Sequence, residues 1–200
     1  MHLSRITLLA MLFTLTGCVS LSIPQGETTF TSQSITTRQA QLAQLRQWHM
    51  QGAFSVQQQQ QAQLANFSWQ QNNLNEFTIR VSSSLNVYNL LLTGKHGTFT
   101  FNDHQHQNVT ARSPEQLMQK ITGFSLPIKN LIYWARGLSA PGPNTSKVDQ
   151  YGHITTLMQQ GWRIDYRRYT QANHLDLPQL IDLSRPGLRI RIVIKQWRIQ

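Results

Sequence analysis

Cys18 is the only cysteine of the chain, and its surroundings indicate the clearest covalent chemistry in the sequence. It directly follows Leu15-Thr16-Gly17 at the end of an apolar run, and Arg5 stands before that run. A positive residue, a short apolar stretch and small residues before a cleavage point are the features of an export signal. The stretch is too short to cross a bilayer as a permanent helix. The pattern therefore predicts an export signal that ends in a lipobox.

The arrangement around Cys18 resembles the signals of bacterial lipoproteins, in which the thiol is acylated and cleavage then leaves the cysteine as the first mature residue. The resemblance implies a chain that is exported and tethered to a membrane. Val19 follows the cysteine. Because the familiar enterobacterial sorting rule associates aspartate at that position with inner-membrane retention, we expect an anchor on the periplasmic face of the outer membrane. An ordinary signal peptide is the alternative.

The other potentially catalytic or metal-binding side chains form no recognisable constellation. No Gly-x-Ser-x-Gly motif is present, and acylation of Cys18 would leave no free thiol. Asp103-His104-Gln105-His106 lies in a polar turn without a clear third metal ligand. His153 and His174 have no partner in the sequence that would tune them for acid–base chemistry. We therefore predict no enzyme, no metal site and no cofactor.

The charge balance is strongly basic, with 18 Lys and Arg against 8 Asp and Glu and a formal net charge of +10. In a cytosolic protein this balance would indicate nucleic acid. An exported lipoprotein rarely meets nucleic acid, so the expected partners are anionic lipid head groups or an acidic protein surface. A basic surface that serves only solubility is the alternative.

Three segments are expected along the chain: a lipoprotein signal at 1–17, an acylated cysteine and flexible tether at 18–36, and one domain at 37–200. The tether is rich in Ser, Thr, Gln, Gly and Pro, as flexible linkers are. Leu42, Leu45 and Trp48 recur at helical spacing. They predict that the domain begins with an amphipathic helix whose polar residues, Arg38 among them, lie mostly off the apolar face.

Most of the domain shows the period-two alternation of half-buried antiparallel strands. The alternating segments are Ala65 to Trp69, Phe77 to Val81, Val87 to Thr93, Thr98 to Asn102, His153 to Gln159, Trp162 to Tyr166 and Leu188 to Ile194. Two helices interrupt them, one capped by Ser113 with Gln116 completing a capping box, and one from about Pro127 to Arg136. This order predicts a mainly β (α+β) fold, an incomplete, strongly curved antiparallel β-barrel with helices over an apolar cavity.

Leu85 stands among small polar residues in Ser82-Ser83-Ser84-Leu85-Asn86, at a predicted hairpin tip. A single exposed leucine is ordinary in a soluble protein. On a protein tethered to a membrane, a leucine at a loop tip can insert shallowly into the bilayer. A leucine that folds back onto the sheet is the alternative.

Several groups of residues follow one another in a characteristic order along the mature chain. They are Gly52-Ala53-Phe54 with Phe67 and Trp69; Gly123 to Leu138; Gly161 to Tyr166 with Tyr169; and Leu177-Pro178 leading to Arg189-Ile190 and Trp197. With the lipobox, this order and spacing resemble the LolB family over nearly the whole mature domain. The resemblance implies the fold of the soluble carrier LolA, an incomplete barrel lidded by helices around a cavity that receives acyl chains.

The same resemblance implies a function. The protein is expected to accept acylated lipoproteins from a LolA-like periplasmic carrier and to insert them into the outer membrane. Its expected partners are the carrier, the lipoprotein cargo and the phospholipids of the outer membrane, not nucleic acid, and it is expected to be a monomer. Leu85 aligns with the leucine of a protruding Pro-Leu-Gly loop in the family. The candidate cavity residues are Phe54, Phe67, Trp69, Phe77, Leu131, Trp134 and Trp162. A lipoprotein that binds free lipids without exchanging with a carrier is the main alternative, and a lipid-processing enzyme is the third.

Overall fold

The computed structural model of the protein describes residues 29–58, 61–83, 89–103, 106–122 and 125–199. Three helices are present in these ranges: α1 (Ile35–Gln44), α2 (Pro114–Thr122) and α3 (Ile128–Trp134). The strands are β1 (Trp48–Gln58), β2 (Gln61–Asn73), β3 (Glu76–Ser83), β4 (Asn89–Lys95), β5 (Thr98–Asp103), β6 (His106–Ala111), β7 (Asn144–Val148), β8 (Ile154–Gln159), β9 (Trp162–Ala172), β10 (Leu175–Arg185) and β11 (Leu188–Ile199).

All of these strands belong to one antiparallel sheet with the order β6-β5-β4-β3-β2-β1-β11-β10-β9-β8-β7. In the described part of the chain no ladder joins the edge strands β6 and β7, so the sheet does not close. Side chains from β1 to β5, β10 and β11 nevertheless line one common cavity together with α2 and α3. The sheet therefore curves around an apolar face that the helices cover, which confirms the predicted fold class.

Alternation in the sequence corresponds to one buried face of the sheet. In β2, Ala65, Phe67 and Trp69 are buried, whereas Asn66 between them is exposed. The ladder between β1 and β11 shifts register at Gly52, and such a bulge increases the local twist that a curved sheet needs. A Cβ atom at Gly52 would overlap the carbonyl oxygen of the neighbouring strand, so glycine is required there by close approach.

The alternating segments predicted from the sequence do not include β1, β6, β7 or β10, and for β7 and β10 the structure gives the reason. All five residues of β7 are exposed, so no apolar alternation marks this strand. In β10 the register shifts twice, between Pro178 and Leu180 and between Leu180 and Ile181. Four successive residues from Asp176 to Gln179 are buried, and the period of two is lost.

The prediction for the first helix is wrong at its C-terminal end. α1 begins with Ser34, whose hydroxyl accepts a hydrogen bond of 3.1 Å from the backbone N–H of Thr37. The helix ends at Gln44 because Leu45 adopts an extended backbone conformation, with φ −71° and ψ 96°. Trp48 therefore does not lie on the helix and instead opens β1.

A buried ionic cluster joins α1 to the sheet near the start of β8. The Arg38 guanidinium donates to Asp176 Oδ2 at 2.7 Å, and both side chains are almost completely buried. The two ring nitrogens of His153 lie 3.0 Å from Asp176 and 3.0 Å from Asp149. The sequence analysis identified no partner that would tune His153; the structure gives it Asp149, four residues earlier in the same turn, and Asp176, which the sheet topology brings to it. Burial raises the pKa of Asp149, but hydrogen bonds from His153 and from the Tyr151 backbone N–H outweigh this and hold the pKa below its ordinary value.

Replacement of Arg38 by methionine is expected to lower the free energy of unfolding by about 3–5 kcal/mol, because it leaves the Asp176 carboxylate buried without its strongest partner. Arg46→Met is the matched control, since Arg46 is exposed and a surface substitution changes stability by about 0.5 kcal/mol or less. Urea unfolding of both variants measures the difference. Equal, small losses in the two variants would mean that the cluster contributes little to stability.

Candidate functional site

An apolar cavity of about 430 Å³ lies between the curved sheet and the helices. Its wall combines side chains from seven strands with Met118 of α2, Leu126, and one side of α3. Gln63 is the one polar side chain among the described residues that line it. Pockets of this size hold small ligands, and the polar groups in the wall decide which ligands are selected. A wall with a single polar side chain offers few hydrogen-bonding groups, so it is suited to an apolar ligand.

Five of the seven residues predicted to line an acyl-chain cavity lie in this wall. They are Phe54, Phe67, Trp69, Leu131 and Trp134. The rings of Phe54 and Phe67 lie next to each other on neighbouring strands, with centroids 6.2 Å apart. Leu131 and Trp134 approach from α3 on the opposite side. The structure thus brings these five side chains together, and their contact with acyl chains stays a prediction.

Phe77 is buried but lies outside the cavity wall. Its ring packs between those of Trp69 and Phe99, with both centroid distances at 6.1 Å. It also covers Gly94 of the adjacent strand, where a Cβ atom would overlap the Phe77 ring. Alternation places Phe77 on the inner face correctly, but neighbouring aromatic rings fill the space between it and the cavity.

Trp162, the other exception, is also buried outside the wall. It packs against Trp134, with ring centroids 6.3 Å apart. The guanidinium carbon of Arg185 lies 4.8 Å from the centroid of the Trp162 ring, which is a cation–π contact. Trp162 therefore supports the cavity residue Trp134 rather than lining the cavity itself.

The sequence analysis missed the aliphatic part of the wall that the strands contribute. Ile190, Ile192 and Ile194 of β11 line the cavity, as do Ile79 of β3 and Leu92 of β4. The alternation of these residues was the available signal, because it marks the inner face of each strand. Apart from Leu131, the prediction selected aromatic side chains and so named too few positions.

Hydrogen bonds from the sheet hold the C-terminal end of α3 in place. The indole N–H of Trp134 donates to Gln159 Oε1 at 2.9 Å, and the Tyr166 hydroxyl donates to the carbonyl oxygen of Trp134 at 2.9 Å. Gln159 also binds both backbone groups of Ala140, at 2.9 and 2.7 Å. Burial raises the pKa of Tyr166, so its hydroxyl remains a neutral donor.

Arg136 connects the end of α3 to the end of α1. Its Nη1 atom donates to the carbonyl oxygens of Leu42 and Leu45 at 3.1 and 2.6 Å, and its Nε atom donates to Ile132 at 3.0 Å. Carbonyl groups at helix ends lack partners within the helix, and the buried guanidinium supplies them. Burial lowers the pKa of Arg136, although arginine starts so high that it stays protonated.

The predicted acylation and insertion residues, Cys18 and Leu85, lie outside the described residues, and so does His104 of the rejected metal motif. The connection 84–88 joins β3 to β4 at the end of the sheet that also carries the β1–β2, β8–β9 and β10–β11 turns. We call this end the Gly187 end and the opposite end, where β1 begins, the Trp48 end. Among the residues that the structure describes, no helix is both long and apolar enough to cross a membrane.

Comparison with known proteins finds the same family along most of the chain. Residues 46–197 match the family model described as "Outer membrane lipoprotein LolB". A protein named outer-membrane lipoprotein LolB from Coxiella burnetii (strain RSA 493 / Nine Mile phase I) is 39% identical over 185 residues, covering 92% of this chain and 88% of the relative. Its namesake from Yersinia pseudotuberculosis serotype O:3 (strain YPIII) is 30% identical, covering 100% and 97%.

The fold is also similar to that of a solved structure. A LolA superfamily protein from Nitrosomonas europaea superimposes with a TM-score of 0.54 over 84% of this chain and 94% of that protein. Sequence identity is only 7%, so this likeness concerns the fold alone.

The cavity wall predicts the effect of filling the cavity. Ala65 lines it, and Ala65→Phe is expected to place a ring in the space and to weaken binding of a fluorescent fatty acid at least tenfold, which is about 1.4 kcal/mol. Asn66→Phe is the control, because the next residue of β2 is exposed on the outer face. Fluorescence titration of the unacylated mature chain compares the two, and equal affinities would place the fatty acid elsewhere.

Proposed function

This chain belongs to the LolB family of outer-membrane lipoproteins, and from that premise we propose that it accepts acylated lipoproteins from a LolA-like periplasmic carrier and inserts them into the outer membrane. The observation that supports the proposal is the aliphatic and aromatic cavity under α3. Each buried methylene of an acyl chain contributes about 0.8 kcal/mol, so chains do not cross water unaided at a useful rate. A cavity that takes them directly from a carrier removes the exposure to water.

The volume of the cavity limits what it holds in this conformation. A water molecule occupies roughly 30 Å³ in the liquid, and a methylene group is of similar size. About 430 Å³ therefore accommodates roughly one acyl chain. A cargo with several chains needs a wider opening, and the element that can supply it is the helical cover, since the strands are fixed by their ladders.

The anchor and the proposed insertion loop belong to opposite ends of the sheet. Phe30 packs at the Trp48 end, with its ring centroid 4.8 Å from that of His153, whereas the connection 84–88 leaves from the Gly187 end. Eleven residues separate Cys18 from Phe30, and the chain between these two residues spans at most about 40 Å. The twelve residues of β11 extend about 40 Å. A tether of this length allows an anchored molecule to bring its Gly187 end to the membrane.

The test is transfer of a labelled lipoprotein from its loaded carrier to this protein, reconstituted through its own acyl anchor in lipid vesicles. Capture followed by appearance of the label in the vesicle membrane supports the proposal. A folded protein that binds fatty acids but captures no acylated protein would instead be the lipid-binding lipoprotein without carrier exchange. A lipid product that accumulates with time would identify a lipid-processing enzyme.

Leu85→Glu is expected to leave capture from the carrier unchanged and to slow delivery into vesicles at least tenfold, because burial of a leucine contributes about 1.5–3 kcal/mol and a charged tip resists insertion. Leu74→Glu is the matched control, since Leu74 is an exposed leucine in the turn after β2, at the Trp48 end. Separate rates for capture and delivery measure the effect. Normal delivery by Leu85→Glu would remove this residue from the mechanism.

Cys18→Ala is expected to abolish stable attachment to membranes and to leave the domain folded, because we propose that Cys18 belongs to a tether and that the domain boundary lies before Phe30, which packs against His153. Membrane fractionation gives the first result, and the melting temperature of the purified chain gives the second. An unfolded Cys18→Ala protein would show that this domain boundary is misplaced.

A further inference from the structure

The outer surface of β9, β10 and β11 carries a cluster of arginines toward the Gly187 end. We call this surface, together with the turn between β10 and β11, the arginine face. Its charged members are Arg163, Arg167, Arg185, Arg189 and Arg191, with Asp165 and Asp182. These seven side chains border one broad groove on the protein surface, and they carry three more positive than negative charges.

The two carboxylates of the arginine face are already neutralised within it. Asp165 and Asp182 are directly opposite each other on neighbouring strands, a placement that is unfavourable without cations. Arg163 lies 2.8 Å from Asp165, Arg191 lies 2.7 Å from Asp182, and Arg167 reaches both carboxylates. The side chains of these three arginines remain more than half exposed, so each guanidinium retains donors toward solvent.

Two further cations have no carboxylate of their own. Arg189 forms no salt bridge with any described residue, and Arg185 lies over the Trp162 ring. Arg163 and Arg189 are both paired with Ser184, one from each side. Strands lie about 4.8 Å apart, so the two arginines flank a single serine with their Cα atoms about 10 Å apart. A small oxyanion above Ser184 would face guanidinium groups on both sides and a hydroxyl below.

We propose that the arginine face binds the phosphate head groups of anionic phospholipids at the surface of the outer membrane. A membrane is a better match than an acidic protein for two reasons on the molecule itself. The face adjoins the Gly187 end, from which the connection 84–88 leaves. Met158, which is 45% exposed, borders the same groove, and an apolar side chain beside cations suits the boundary between head groups and acyl chains.

This inference deepens the proposed function and rests on it, because it assumes that the protein meets the membrane with its Gly187 end. An anionic membrane attracts nearby Lys and Arg by roughly 1 kcal/mol each, which corresponds to about a fivefold change in the bound population per cation. The attraction fades within a Debye length, about 8 Å at physiological ionic strength. Contact between the face and the head groups is therefore expected to depend on both anionic lipid and salt.

The experiment uses the acylated, full-length lipoprotein in vesicles, with a fluorophore on an introduced cysteine. Met158→Cys reports on the arginine face, and Leu74→Cys, at a position 40% exposed, reports on the Trp48 end. Vesicles contain a head-group-labelled quencher in phosphatidylethanolamine alone or in equal parts of phosphatidylethanolamine and phosphatidylglycerol. We expect quenching at position 158 only in vesicles that contain phosphatidylglycerol, and we expect high salt to abolish it.

Charge reversal gives the decisive comparison. Arg163→Glu with Arg189→Glu is expected to reduce the quenching at position 158 to the level at position 74. Lys195→Glu with Arg198→Glu makes the same change in charge toward the Trp48 end of β11 and is expected to leave the quenching intact. Arg189→Gln, which breaks no salt bridge with a described residue, gives a milder reduction in a variant whose folding is not at risk, and melting temperatures check all variants.

Other outcomes separate the hypotheses. Equal quenching in the two lipid compositions, or quenching that survives charge reversal, would overturn the proposal. Charge reversal that spares quenching but slows capture from the carrier would overturn it in favour of an acidic protein partner. Lipid-dependent quenching in a protein that delivers no cargo would support the arginine face and contradict the proposed function.

Discussion

The position of α3 over the cavity depends on the amide of Gln159. A curved apolar sheet face must be covered, yet a cover that packs fully into it would leave no space for a ligand. Gln159 receives the Trp134 indole N–H and also binds both backbone groups of Ala140. With Tyr166 and Arg136, these directional bonds fix the C-terminal end of α3 from the side of the sheet. The helix is thus held by polar contacts at its end, and its apolar side chains remain available to the cavity.

The unclosed sheet creates a second constraint, because both edge strands present unpaired backbone groups. α2 packs beside β6 and contacts α3, so one edge is covered by the same helices that cover the cavity. β7 is short, fully exposed and contains Lys147, features that discourage pairing with another chain. The two edges are therefore protected in different ways, β6 by a helix and β7 by its own short, charged strand.

The sequence predicts the parts of this structure that repeat regularly. Alternation finds most of the inner strands because one buried face imposes a period of two, and Gly137, with φ 79°, supplies the left-handed conformation that follows α3. Alternation fails for β10, where bulges break the period, and for β7, which has no buried side chain. The contacts of Arg38 and His153 with Asp176 and of Arg136 with Leu42 and Leu45 also escape prediction, because only long-range topology brings these residues together. Alternation predicts that Phe77 lies on the inner face of the sheet, but it does not show that Phe77 packs against Trp69 and Phe99 and not against the cavity.

The strands that form the cavity wall also form the arginine face, and the period of two keeps these surfaces apart. In β11, Ile190 and Ile192 line the cavity, whereas Arg189 and Arg191 between and beside them are exposed on the outer side. A head group bound outside therefore does not obstruct an acyl chain held inside. The same strands end at the Gly187 end, where the connection to the proposed insertion loop also lies. In the function that we propose, membrane contact and cargo binding can consequently occur at the same time, on opposite faces of the same strands.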